Sequence, residues 1–307
     1  MQIATLYPLR RTRDFGQTIS DTIQFLKAHW KNLLVLYLIF VVPFLLVGTL
    51  LGAGSFSSFF SQIGGGITKI DNPIALITPI FLIAILLYFT STVAYITVVN
   101  LYMKLFEENG GIPPSLPEIG SKFSGKFLSN LGYMLLIIAG FFFMAFLAII
   151  PILGILVFMA GAFYIMVCLS ILFPVNTIET NSFPQSFSRM FYLIRNNWWY
   201  TFGMVIIFGL IYYFFASIIG LVVNMVFGLG AINFLDPKAG LSSMDKKYFL
   251  VMGFSAVIQQ VFYLIIHVGL GIHYFSLREE KEGSGLESRL DQLGAGGGDH
   301  SHMEEQY

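Results

Sequence analysis

Charge is scarce in this chain. It carries 17 Lys+Arg and 17 Asp+Glu in 307 residues, or 11%, less than half the roughly one quarter usual for soluble domains. So little charge excludes an ordinary water-facing surface, and a net charge of 0 removes any global electrostatic case for a nucleic-acid partner. Cysteine is limited to Cys168, which excludes a disulfide framework and a CxxC metal site and leaves a small packing residue. The opening "MQIATLYPLRRTRDFGQTISD" has no apolar run behind its basic residues, so neither a secretory nor a twin-arginine signal is expected and insertion should proceed through the first span. There is no HExxH, no Ser-His-Asp order and no pair of carboxylates inside an apolar run. The Gly64–Gly66 run lacks the Lys-Ser/Thr of a phosphate loop. His300 and His302, in a Gly-rich tail, are too few for a metal site. No enzyme, cofactor or metal is selected.

Apolar residues are abundant. The chain is 56% hydrophobic, holds 32 Phe and has a mean hydropathy of +0.76. Six stretches reach the roughly 20 apolar residues a helical span needs: 33–53, 73–106, 128–150, 152–174, 199–229 and 248–277. The expected fold is an all-α polytopic membrane protein of three transmembrane hairpins. Pro79 should kink the second span, and Pro151 should force a tight turn between the third and fourth. Counting Lys and Arg by side gives 13 against 4. The positive-inside rule then places both termini in the cytoplasm, of a bacterial inner membrane on the resemblance given below.

An internal repeat accompanies the spans. Shifted by 168 residues, "FGQTISDTIQFLKAHW" (15–30) falls on "FPQSFSRMFYLIRNNW" (183–198), with identical Phe, Gln, Ser and Trp and with Lys27 facing Arg195. A shorter third copy is "IGSKFSGKF" (119–127). Phe15, Ile19, Ile23, Leu26 and Trp30 stand 4, 4, 3 and 4 apart, one stripe of an α-helix. Such helices, too polar to span, should lie in the cytoplasmic interface and then turn into the first helix of each hairpin. Lys27, Trp30, Arg195, Trp198 and Trp199 are the expected interfacial anchors. At an offset of 172, "YMKLFEEN" (102–109) matches "YFSLREEK" (274–281). The domain reading is an N-terminal cytoplasmic segment at 1–14, a membrane domain at 15–282 and a flexible cytoplasmic tail at 283–307, where "GLESRLDQLG" (285–294) could form a leucine-faced docking helix.

Polar residues inside the spans are the candidate site. Gln260, His267 and Tyr274 share one face of span 6, with Gln259 beside them. The offset sets Tyr88 against Gln260 and Tyr95 against His267, with Thr92 between, and Asn224 lies late in span 5. This seam either holds a headgroup or ion or supplies interhelical hydrogen bonds. No Asp, Glu, Lys or Arg sits well inside a span, which weighs against an ion-coupled carrier. Gly132, Gly140, Gly154, Gly161, Gly209, Gly220, Gly269 and Gly271 suit close helix packing, within one protomer or in a homo-oligomer.

The "F(G/P)Q(S/T)xS" start, the "RNNWW" element at 195–199 and the three-hairpin layout resemble the membrane domain of bacterial glycerophosphodiester phosphodiesterases and related uncharacterised six-helix inner-membrane proteins. The resemblance covers roughly residues 10–280 and does not include the soluble phosphodiesterase barrel. It implies an accessory module without catalytic residues of its own. The expected function is a non-enzymatic scaffold or accessory subunit that contacts membrane lipids and recruits a protein partner through its cytoplasmic helices or tail. The alternative is a lipid- or small-solute-handling protein that uses the seam between spans 2 and 6.

Overall fold

The computed structural model describes residues 8–64, 78–146, 150, 153–179, 181–227 and 246–283. Its helices are α1 (Phe15–Phe40), α2 (Val42–Gly64), α3 (Pro79–Glu108), α4 (Leu116–Ala145), α5 (Leu153–Ile178), α6 (Phe183–Ile194), α7 (Trp198–Phe227), α8 (Lys246–Gln260) and α9 (Tyr263–Glu282). No strand occurs among the described residues. Six stretches are long and apolar enough to cross a bilayer: Val42–Ile63, Pro79–Glu108, Leu116–Ala145, Gly154–Ile178, Trp198–Val223 and Lys246–Glu282. The protein is therefore an all-α polytopic membrane protein. The turn at Pro151, the Gly65–Gly66 part of the glycine run, the tail and its histidines lie outside the described residues.

α3 and α9 form the centre. Residues 91–106 are nearly all buried, and residues 267–277 are buried throughout. These are the helices whose ends match at "YMKLFEEN" and "YFSLREEK". α2 packs on α3 and α8, α1 and α7 pack on α9, and α4, α5 and α6 complete the opposite side. α4 is the least enclosed: only Ile119, Asn130 and Tyr133 are buried on it. Its outer residues, including Leu135, Phe142 and Phe143, are exposed, as suits a helix covered by lipid. Of the glycines singled out in the sequence, two admit close approach: a Cβ on Gly269 would overlap the ring of Phe208, and one on Gly271 would come 2.6 Å from Met103 Sδ. Gly132, Gly140 and Gly209 meet nothing within 4 Å and do not serve packing among the described residues.

Local chemistry explains how the helices start. Asp14 caps α1: its Oδ1 accepts from Gln17 N at 2.7 Å, and Gln17 Oε1 accepts from Asp14 N at 3.2 Å. Gln185 Oε1 accepts likewise from Ser182 N at 2.9 Å at the start of α6. The glutamine shared by the two sequence copies is thus the third helical residue of a capping box. The third copy starts one turn earlier, where Ser115 Oγ accepts from Glu118 N. Pro79 does not kink the second span. It opens α3 behind the N-cap Thr78, where the missing N–H of proline costs nothing.

Only one copy turns where a turn was expected. After α6 the chain bends at Asn196, whose φ is 73°, and α7 begins at Trp198. α1 instead runs unbroken through Trp30 to Phe40, and α4 runs unbroken through 119–127. The matching residues supply the reason. Asn196 corresponds to Ala28, and asparagine tolerates the left-handed conformation whereas alanine is the best helix former. The first span is interrupted later, at Val41, just before Pro43. That proline donates no hydrogen bond, and its ring crowds the carbonyl four residues back.

Candidate functional site

The sixth span is also broken, without proline or glycine at the break. Val261 N bonds to Ile258 O at 3.3 Å and Phe262 N to Gln259 O at 3.0 Å, tighter i→i−3 bonds than an α-helix makes. This frees the carbonyl of Val257, and Tyr37 OH donates to it at 2.5 Å. Tyr95 OH donates to Val261 O at 3.3 Å. The two tyrosine rings lie 5.1 Å apart, and His267 lies 5.0 Å from Tyr95 and 5.8 Å from Tyr263. In a bilayer a freed carbonyl has no water to turn to, so the Tyr37 hydroxyl of α1 does for Val257 O what the helix has ceased to do, while Val261 O keeps a backbone donor, Leu264 N at 3.2 Å, to which Tyr95 adds a second.

The structure brings only part of the expected seam together. Tyr95 and His267 meet, and Gln260 ends α8 at the break. Tyr88 turns to α2, where its hydroxyl is 2.9 Å from Thr49 Oγ1. Thr92 donates to Tyr88 O within its own helix, and Gln259 donates to Ser255 Oγ at 2.7 Å within α8. Gln259 also lies beside Gly220 of α7. Tyr274 belongs elsewhere and donates to Glu179 Oε1 at 2.7 Å. The side chain of Asn224 lies outside the described residues. Oε1 of Gln260 and Nε2 of His267 are buried without a hydrogen-bond partner among the described residues.

At the end of the bundle that carries Arg13 and Glu282, charged groups tie distant segments together. Asp21, 3% exposed, pairs with Arg11 and Arg13, and Arg13 N donates to Ser276 Oγ at 2.9 Å. Arg10 pairs with Glu107, and Glu108 with Lys104 and Lys122. Arg189 pairs with Glu179 and Glu282. Asn197 donates to both oxygens of Glu280, and Lys281 to Arg195 O. Of the matched glutamates, Glu107 and Glu108 of α3 and Glu280 of α9 are therefore among the fastenings of this end. Beside α6 an open polar hollow of about 560 Å³ is walled by Glu179, Asn181, Gln185, Ser188, Arg189 and Tyr192.

The anchors divide. Trp30 and Trp199 are 52% and 76% exposed, and Lys31 Nζ sits 5.8 Å over the Trp30 ring. Lys27 and Arg195 are exposed beside them. Trp198 is partly buried. It stacks on Tyr164 and Phe202 with centroids at 5.5 and 5.6 Å, so it packs the α5–α7 contact as well as marking the surface.

Sequence reasoning missed a buried amide cluster. Asn130 Nδ2 donates to Thr97 Oγ1 at 2.8 Å and to Thr177 Oγ1 at 2.9 Å, while Asn176 Nδ2 donates to Asn130 Oδ1 at 2.7 Å. Lys126 Nζ donates to the carbonyls of Asn176 and Glu179 at 2.6 and 2.9 Å, a cation on carbonyls at the C-terminal end of α5. The available signal was a pair of asparagines within apolar surroundings, one of them two residues after Pro174. Among the described residues no group of three or more His, Cys, Asp or Glu is arranged to hold a metal. Compared with protein-family models, with curated proteins and with solved structures, the chain finds no match.

Proposed function

We propose that this chain is a non-enzymatic scaffold or accessory subunit of a bacterial inner membrane, with both termini in the cytoplasm. One observation carries the reading: the charged end is a cross-tied platform with an open hollow beside α6. Ion pairs and charge-assisted bonds link the N-terminal segment, α3, α6, α9 and the residues between α5 and α6. Rigid support of this kind preorganises a surface for a partner. In the hollow, Arg189 is matched by Glu179 and Glu282, so what it offers a partner is amide, hydroxyl and phenol groups from Asn181, Gln185, Ser188 and Tyr192. The excess of Lys and Arg on the same side supports a cytoplasmic orientation. The resemblance to a phosphodiesterase membrane domain fits an accessory role.

The test is capture of the full-length protein in mild detergent, followed by mass spectrometry. A partner at a fixed ratio is expected, retained by Gln260→Ala and His267→Ala variants, with cellular phenotype intact. A chain that purifies alone, and whose phenotype vanishes with either seam variant, would overturn the proposal.

A further inference from the structure

The sixth span keeps polar atoms that its own fold does not use. Oε1 of Gln260 and Nε2 of His267 are buried, have no hydrogen-bond partner among the described residues, and bracket the break at Val261–Phe262. His267 is 8% exposed. An unpartnered buried polar atom costs on the order of 1–3 kcal/mol, more than the roughly 0.6 kcal/mol that an average hydrogen bond returns in a membrane. Tyr37 at the break shows that this region can satisfy a freed group when the fold requires it, which sharpens the contrast with Gln260 and His267.

A second observation lies one helical turn before Gln260, at Ala256. A cavity of about 310 Å³ opens between α2, α3 and α8, lined by Thr49, Phe56, Phe60, Tyr88, Phe249 and Ala256 among others. Ala256 and Gln260 are four residues apart, and Tyr88 and Tyr95 seven, so each pair shares a helix face. Both faces run from the cavity toward the break, where the Tyr95 ring meets His267. The outer part is aromatic: Phe56 and Phe60 stack on Phe249 with centroids at 6.0 and 5.5 Å. Its polar groups, Thr49 and Tyr88, are neutral and bonded to each other. No residue named at the break carries a formal charge, and the nearest lysines on α8, Lys246 and Lys247, lie at its far start, so a charged headgroup placed at Gln260 and His267 would meet no counter-ion, at a cost of several kcal/mol in hydrocarbon.

We propose that the seam binds a neutral single-chain amphipath, with its chain against Phe56, Phe60 and Phe249 and its hydroxyl or carbonyl head at Gln260 and His267. The site goes beyond the scaffold reading and does not depend on it: partner capture can fail while the ligand binds, and the reverse.

The test uses the purified full-length protein, with monoolein as the neutral probe and sodium oleate as the anionic one, read by native mass spectrometry and thermal unfolding. One monoolein per chain is expected, with a raised unfolding midpoint and much weaker oleate binding. Gln260→Leu and His267→Phe should each weaken monoolein binding at least about ten-fold, equivalent to about 1.4 kcal/mol. Ala256→Phe should exclude it by filling the cavity; should that variant fail to fold, Gln260→Leu carries the test. Without ligand, Gln260→Leu should be at least as stable as the parent, because it removes an unpartnered dipole. Absence of a monoolein adduct, equal binding by the parent and Gln260→Leu, oleate binding as tightly as monoolein, or a less stable ligand-free Gln260→Leu would each overturn the proposal.

Discussion

Replacing Asn196 with alanine should loosen the join between α6 and α7. Asn196 has φ 73°, and a left-handed backbone costs an ordinary L-residue roughly 1–2 kcal/mol. Asparagine offsets part of that cost through local hydrogen bonding, so Asn196→Ala should lose about 1 kcal/mol, and Asn196→Gly, which has no Cβ to strain, should lose less. The neighbouring ties are untouched by either change: Asn197 N still bonds to Ile194 O at 2.8 Å, and Asn197 Nδ2 to Glu280. Ala28, the corresponding residue in α1, sits in an unbroken helix, so Ala28→Asn should cost no more than about 0.7 kcal/mol of helix propensity. Reversible unfolding in mixed micelles would measure all four proteins. An alanine variant as stable as the parent, or a glycine variant as unstable as alanine, would refute the assignment of the turn to the conformation of Asn196.

Tyr37→Phe keeps the ring against Tyr95 but removes the donor to Val257 O; unfolding should show a loss of about 1 kcal/mol, and no loss would mean the helix break needs no outside donor. Asn130→Ala removes hydrogen bonds to Thr97, Thr177 and Asn176; at roughly 0.6 kcal/mol each, the cost should approach about 2 kcal/mol in the same assay. His29 Nδ1 lies 2.9 Å from Tyr102 Oη, and burial holds the imidazole pKa below its ordinary value. The unfolded chain therefore binds the proton more readily. Its contribution to stability should be complete above about pH 6.5 and decline as the pH falls below that, and His29→Phe should reduce this slope in a pH series of unfolding midpoints.

Much of the architecture was legible because it rests on local chemistry. Apolar length marks the spans, and the repeated Gln17 and Gln185 mark real helix starts because a capping box is completed within four residues. The turn at Asn196 and its absence at Ala28 are also present in the aligned copies, where the tryptophans match but the Asn/Ala mismatch decides the backbone. Thr78-Pro79 carried the pattern of a helix start, although proline inside an apolar run reads first as a kink. The break at Val261 was not legible. Nothing in "VIQQVFYLI" interrupts a helix; the hydroxyl of Tyr37, 220 residues away from the Val257 carbonyl it serves, makes the break tolerable. The candidate seam was half legible for the same reason. Equal spacing placed Tyr88, Tyr95, Gln260 and His267 on facing stripes, but Thr49 on a third helix takes Tyr88 away. The Asn130 cluster joins three helices and has no counterpart in the repeat.

The scaffold proposal is tested most directly by blocking the hollow beside α6 without disturbing the ties around it. Ser188 is exposed and lines that hollow, so Ser188→Trp fills it while leaving the Arg189 pairs with Glu179 and Glu282 in place. Quantitative mass spectrometry of material captured in mild detergent should show a partner at a fixed ratio with the parent and at least a ten-fold lower ratio with Ser188→Trp, at equal unfolding midpoints. A partner held equally by both proteins would contradict a docking role for the hollow, and no partner with either would contradict the scaffold function itself.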